Sequence, residues 1–257
     1  MSEKKLSEKL LYAPKHGYDR LSEAERKEMN EYCEDYKLFL DRGKTERQCV
    51  EYCIELAEKQ GFVEYVPNMA LKAGDKVYCN NRGKGIMLAI IGSESLAKGA
   101  NIAAAHTDAP RLDLKPRPLY EEAEMAYFKT HHYGGIRKYQ WVTVPLELHG
   151  VVTLADGSTV ELHVGDKPAD PQFIINDLLP HLGREQAKKP LGEAIPSESL
   201  NILVGSEPVT DEEEKSRFKL GVLQYLNDTY GITEEDFLSA ELEAVPAHDV
   251  RELGLDR

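Results

Sequence analysis

The 257-residue sequence has only four cysteines and one tryptophan, and its 32 basic residues fall well short of its 45 acidic ones. Long apolar runs are also missing, and each shortage excludes something. A membrane helix needs roughly 18 consecutive apolar residues, and "MSEKKLSEKLLYAPKHGYDRLSEAERKEMNEYCEDYKLFLDRGKTERQCV" holds no apolar core of signal-peptide length. A cytoplasmic protein with no membrane partner is expected. The formal charge of −13 repels phosphate backbones, so nucleic acid is excluded as a partner on the same ground. Cys33, Cys49, Cys53 and Cys79 show no small-domain disulfide spacing and read as free thiols. Cys49 and Cys53 stand four apart and could grip a metal from one helix face, but no second pair follows, and burial on that face is the plainer reading.

What is present suits a sizeable core, with 41% hydrophobic residues. Two helices are expected between residues 20 and 60. The first has a Ser22–Glu25 capping-box signature and stops at Gly43, and the second stops at Gly61. "DKVYCNNRGKGIMLAIIG" reads as a hairpin whose second arm, Ile86 to Ile91, is apolar enough to be buried on both faces. "NIAAAHTDAP" reads as a further buried strand. From about Lys115 to Glu207, short strands follow one another without a long helix, the signature of an antiparallel β region. A helix capped by Thr210 and ended near Gly231 comes next, then a strand in "DFLSAELEAVPA". The expected fold class is therefore α/β, a mixed sheet covered by helices with an inserted antiparallel β domain. Boundaries near 112 and 207 divide it into residues 1–112, 113–207 and 208–257.

In open α/β sheets ligands bind beyond the carboxyl ends of strands, which is where His106 would stand. An imidazole is a good zinc ligand, and Asp108, two residues on, returns to the same side to orient it. Taken alone, His-x-Asp reads more readily as a hydrogen-bonded histidine at a strand end.

The wider context adds "AAAHTDAPRLDLKPRPLYE", "AYFKTHHYGGIRKYQWVTVPLELHGVV" and "FIINDLLPHL", in that order. Together they resemble the aspartyl aminopeptidase and vacuolar aminopeptidase I family of two-metal exopeptidases, over essentially the whole chain. The resemblance implies a zinc metalloaminopeptidase, with cobalt or manganese as alternative ions, that hydrolyses N-terminal residues from peptide substrates by metal-activated water attack. It implies His106 as a metal ligand and Asp108 as the carboxylate supporting the catalytic site. The inserted β domain would mediate dimerisation within a larger homo-oligomer. Asp177 and His181 would lie in or beside a loop that reaches the neighbouring subunit's active site. Relatives acting on acidic N-termini carry a histidine at the position of Asp177, so the resemblance leaves an aspartyl or glutamyl preference open.

By the same resemblance, the metal-bridging aspartate, the paired glutamates and the final histidine ligand fall beyond "SAELEAVPAHDVRELGLDR". Substitutes are hard to find. Glu121-Glu122, Glu212-Glu213-Glu214 and Glu234-Glu235 read as solvated or helix-capping acids, and His131-His132 lie in a strand leading away from the site. This chain is not expected to hold two metals. The alternative to an enzyme is therefore a catalytically incomplete piece that self-associates through its β domain, with a C-terminal complementing segment as a possible partner. Such a piece would leave apolar "IMLAII" and "IAAA" exposed.

Overall fold

The computed structural model describes residues 6–255, which form two compact units. The smaller unit joins the first 42 residues to the segment from Val250 onward. It contains α1 (Leu6–Leu10) and α2 (Glu23–Arg42). The expected capping box starts α2: the Ser22 N–H donates to Glu25 Oε2 at 2.8 Å, and the Glu25 N–H donates to Ser22 Oγ at 3.3 Å. Lys37 pairs with both Glu34 and Glu252 at 2.8 Å, and Asp41 accepts the Val250 N–H, so helix and tail are held together by polar contacts. The tyrosines Tyr32 and Tyr36 of this helix remain exposed.

The larger unit, Gly43–Asp249, carries the rest. It opens with α3 (Glu46–Lys59), whose Thr45 and Gln48 form a second capping box. A three-stranded sheet follows, in the order β1 (Val63–Glu64), β2 (Lys76–Asn81), β3 (Gly85–Ile90), with β1 parallel and β3 antiparallel to β2. The hairpin between β2 and β3 turns at Arg82 and Gly83, both at positive φ, with the Gly83 N–H held by Asn80 Oδ1 at 2.7 Å.

The expected antiparallel region is a six-stranded sheet. Its strands are β4 (Arg111–Glu122), β5 (Met125–Tyr133), β6 (Leu146–Thr153), β7 (Thr159–Val164), β8 (Ile202–Gly205) and β9 (Ala240–Pro246). Their order is β7-β6-β9-β4-β5-β8, and every pairing is antiparallel. Two helices accompany it, the short α4 (Leu191–Ala194) and the longer α5 (Arg217–Tyr230). Leu112, Phe128, Leu146 and Leu148 share one core with Leu226, Ile232, Phe237 and Leu242. Phe128 and Phe237 meet edge to face at 5.8 Å. The architecture is mixed α/β, as expected.

Two expectations need correction. Residues 101–110 form no strand, because β3 is the edge of its sheet and no partner beside it offers hydrogen bonds to an extended "NIAAA". β3 itself is not buried: Met87 is 69% and Ile90 63% exposed, because the described residues pack nothing over this end of the strand. β9 runs between β6 and β4, and the segment around it fills the same core. The cap of the last long helix also differs. α5 starts at Arg217 rather than near Thr210, and Glu121 of β4 caps it by accepting the Phe218 and Lys219 N–H groups at 2.9 and 3.0 Å.

At Gly150, β9 lies close against β6. The glycine φ is +143°, and an added Cβ would lie 1.9 Å from the Glu241 carbonyl oxygen. Gly150→Ala should therefore lower unfolding stability by roughly 2–4 kcal/mol, combining backbone strain with overpacking. A shift in the urea midpoint reads this directly, and an unchanged midpoint would show that β9 can move away.

Candidate functional site

His106 and Asp108 lie in the extended segment that leads into β4. The His106 imidazole is 81% exposed, and its Nδ1 is 2.7 Å from the backbone carbonyl oxygen of Asp108 and 3.2 Å from its carboxylate. A carbonyl oxygen only accepts, so Nδ1 carries the hydrogen and donates it. In the neutral ring Nε2 therefore keeps its lone pair, the arrangement a metal-ligating imidazole requires. Asp108 is anchored in turn, accepting the Tyr133 hydroxyl at 2.7 Å. That hydrogen bond holds its carboxyl below the ordinary range, with His106 and Arg111 pulling in the same direction.

Tyr133 connects this segment to a buried ionic cluster. The Arg111 guanidinium lies over the Tyr133 ring, 4.1 Å from its centroid. Arg111 Nε donates to Asp113 at 2.7 Å and lies 3.4 Å from Glu243, while Nη1 is 3.1 Å from Glu46. Lys84, from the β2–β3 turn, adds a second cation against Glu46 and Glu241, and Arg47 donates to Glu241 at 2.6 Å. Glu46 Oε2, Glu243 Oε2 and Arg111 Nη1 are paired by charge without hydrogen-bond alignment. Burial, reinforced by Glu46 and opposed by Arg111, pushes the Glu243 carboxyl up to about 7.

A second polar network lies between α3 and the sheet. Gln48 Oε1 accepts the Thr45 N–H, which commits Gln48 Nε2 to donate, and it lies 3.0 Å from His149 Nδ1. His149 is buried, its Nε2 donating to Glu147 at 2.9 Å, and Glu147 also pairs with Lys44. Burial alone would raise the Glu147 carboxyl, but these two donors outweigh it and hold the group below its ordinary value. Neither network was anticipated from sequence. The alternation of charge and apolar residues in "RLDL" and "ELEAV" is the signal that could have found the first.

The remaining expected site residues lie elsewhere. Asp177 is exposed and accepts the Leu178 N–H at 2.8 Å and Gln186 Nε2 at 3.1 Å. His181 is exposed in the same loop, beside Leu178, Leu179 and Leu182, which are all more than half exposed. Among the described residues no hydrogen bond or ion pair joins this loop to His106 or Asp108. His131 and His132 stack on each other at 5.5 Å in β5. All four cysteines are free, and burial raises the Cys49 thiol to about 11, so it is unreactive at neutral pH.

The sequence pattern described as "Aminopeptidase I zinc metalloprotease (M18)" matches residues 39–257. The chain belongs to the M18 aminopeptidase family. It is 47% identical over 252 residues to the probable M18 family aminopeptidase 1 of Clostridium acetobutylicum, covering 96% of this chain and 54% of that protein. The crystal structure of the Thermotoga maritima M18 aminopeptidase superposes with a TM-score of 0.88 at 42% identity, covering 95% of this chain and 53% of the other. Aminopeptidase I from Borrelia burgdorferi gives 0.83 at 39%, over 94% and 55%. A yeast mApe1 dodecamer shares the fold at 19% identity and a TM-score of 0.63. This M18 chain spans about half the length of the relatives it matches.

Zinc in a catalytic site takes three protein ligands. Around His106 the described residues offer one imidazole and the Asp108 carboxylate. Among the described residues, three metal-capable donors come within 4.8 Å of one another only at Glu46, Glu241 and Glu243. Lys84 and Arg111 already stand among them as internal cations. The described residues therefore do not complete a catalytic zinc site.

Two outcomes follow from these geometries. Because the Glu243 carboxyl binds a proton in the folded state that the unfolded chain has released above about pH 4.5, its contribution to stability falls as pH rises from 4.5 through 7. Facing it are Glu46 from α3, Arg111 and Asp113 from β4, Lys84 from the hairpin turn and Glu241 on its own strand. Glu243→Gln should lose less stability between pH 5 and 8 than the native protein in paired denaturation series, and parallel curves would refute this. Tyr133→Phe should let the Asp108 carboxyl return toward its ordinary value, read by carbon-13 titration of the carboxyl signal. An unmoved titration would show that the tyrosine does not hold it.

Proposed function

We propose that this chain contributes one side of a zinc aminopeptidase active site, with His106 as a metal ligand and Asp108 as the carboxylate that orients it. The complete protein would hydrolyse N-terminal residues from peptides by metal-activated water attack, with cobalt or manganese as alternative ions, in the cytoplasm. The observation that most supports this reading is the His106–Asp108 contact, which leaves Nε2 as the unprotonated nitrogen of an exposed ring. The β region would join two copies, and dimers would build the larger homo-oligomer. Asp177 and His181, on a loop with exposed leucines, would reach a neighbouring copy's site. A second reading, an inactive piece that self-associates, is favoured by the shortage of donors around His106.

A zinc titration followed by imidazole NMR tests the ligand role. The His106 ring signals should respond at about tenfold lower zinc than those of exposed His16, since an oriented imidazole binds metal better than an unsupported one. A response no earlier than that of His16 would remove His106 from the ligand set. This chain alone should show no turnover on a panel of aminoacyl substrates, and turnover would discard the second reading.

A further inference from the structure

The geometry points to a metal site separate from His106: one divalent ion of the imidazole-preferring kind, such as zinc, held by Nδ1 of His149 and Nδ1 of His163, with the Glu51 and Glu161 carboxylates closing it on the solvent side. His149 and His163 are register partners in the β6–β7 hairpin, on the face of the sheet that meets Gln48 of α3. Their Nδ1 atoms lie 3.0 Å apart. On its other nitrogen each ring faces a carboxylate: the buried His149 donates from Nε2 to Glu147 at 2.9 Å, and His163 Nε2 is 3.8 Å from Glu161. A ring that turns its Nε2 hydrogen to a carboxylate presents a lone pair at Nδ1, the usual setting of a metal-ligating histidine. Here two such lone pairs point at each other and repel unless a positive charge stands between them. Gln48 Nε2, at 3.0 and 3.5 Å, is one neutral donor shared by both.

An ion fits this place by size and by charge. Two imidazole nitrogens each about 2.0–2.1 Å from one ion stand about 2.9 Å apart at a right angle and about 3.4 Å apart at the tetrahedral angle. The observed 3.0 Å falls within that span. Beside His163 is a cavity of about 20 Å³, room for one ion or water, with Gln48, Glu51 and Glu161 among its walls. Arg47 also reaches this cavity, but its guanidinium is committed to Glu241 at 2.6 and 3.0 Å. Burial raises the Glu51 carboxyl and Glu161 adds to the rise, against His163 and Arg47, so this wall is short of positive charge. Both Glu51 and Glu161 are exposed, so each carboxylate can swing onto an ion bound at the two nitrogens. Such an ion would fasten the first turns of α3 to the β6–β7 hairpin.

The test is a zinc titration of the nitrogen-15-labelled chain, read in long-range proton–nitrogen spectra that distinguish Nδ1 from Nε2. It is run on the native chain, His106→Ala, His163→Gln and Glu51→Gln/Glu161→Gln. In the native chain and in His106→Ala, the Nδ1 signals of His149 and His163 should move together, saturating at one equivalent in the latter. His163→Gln should abolish the response of His149. The double carboxylate variant should need at least tenfold more zinc. Its positions are exposed, so it keeps the native circular dichroism spectrum and leaves the test decisive even where His163→Gln fails to fold. Rings that titrate with pH but ignore zinc would show a shared proton only and overturn the site. So would loss of the response in His106→Ala, or an unchanged affinity in the double variant.

Discussion

A guanidinium cannot shed its charge by losing a proton, so a buried arginine must be surrounded by acids, and Arg111 imposes that condition on the centre of the larger unit. It draws Glu46 from the first turn of α3, Asp113 from its own strand and Glu243 from β9 around one side chain. Helix, sheet and hairpin turn are thereby registered against each other at a single point, with Lys84 closing the charge balance. Glu243 is the strained member, since its carboxyl is pushed up to about 7 mainly by burial. Truncating Arg111 would leave several carboxylates buried without their cation, a change that typically costs several kcal/mol.

The same arginine sets the position of the His106–Asp108 segment. Its planar face supports the Tyr133 ring, and the Tyr133 hydroxyl holds the Asp108 carboxylate that lies beside His106. The chain of contacts runs from a rigid ionic core outward to an exposed imidazole. A side chain 81% exposed would otherwise be free to rotate, and the Asp108 carbonyl fixes which nitrogen it presents.

Much of this was legible in the sequence, for reasons that differ by element. The helix starting after Ser22 and the hairpin around Arg82-Gly83 were readable because capping and turn chemistry are local. The burial of β3 and the strand expected at residues 101–105 were misread because apolar composition states what a segment is suited to, not whether a neighbour is there to satisfy it. Thr210 looked like a cap by spacing, whereas the acceptor for α5 is Glu121, 97 positions before Phe218 in the chain, and no local pattern carries that information. The Arg111 cluster was hidden for the same reason: its members come from α3, β4, β9 and the hairpin turn, and each in its own segment resembles an ordinary solvated charge. His106 and Asp108 were identified as a pair, and they are adjacent in space.

The place of β9 has a kinetic consequence. This strand is hydrogen-bonded to β6 on one side and β4 on the other, with Leu146 opposite Pro246 and Leu112 opposite Ala244. Until residue 246 has been synthesised, β6 and β4 have no strand between them, and the two sides of the six-stranded sheet are linked only by the bridges from Phe173 to Leu146 and from Ile174 to Leu203. A chain emerging from the ribosome could form the β4–β5 and β6–β7 hairpins early, but β4 and β6 would each keep an open edge. Closing loops of this length is slow compared with forming a hairpin, and exposed edges are vulnerable while they wait. The larger unit should therefore become resistant to proteolysis in one late step as β9 enters, rather than progressively as each strand is made.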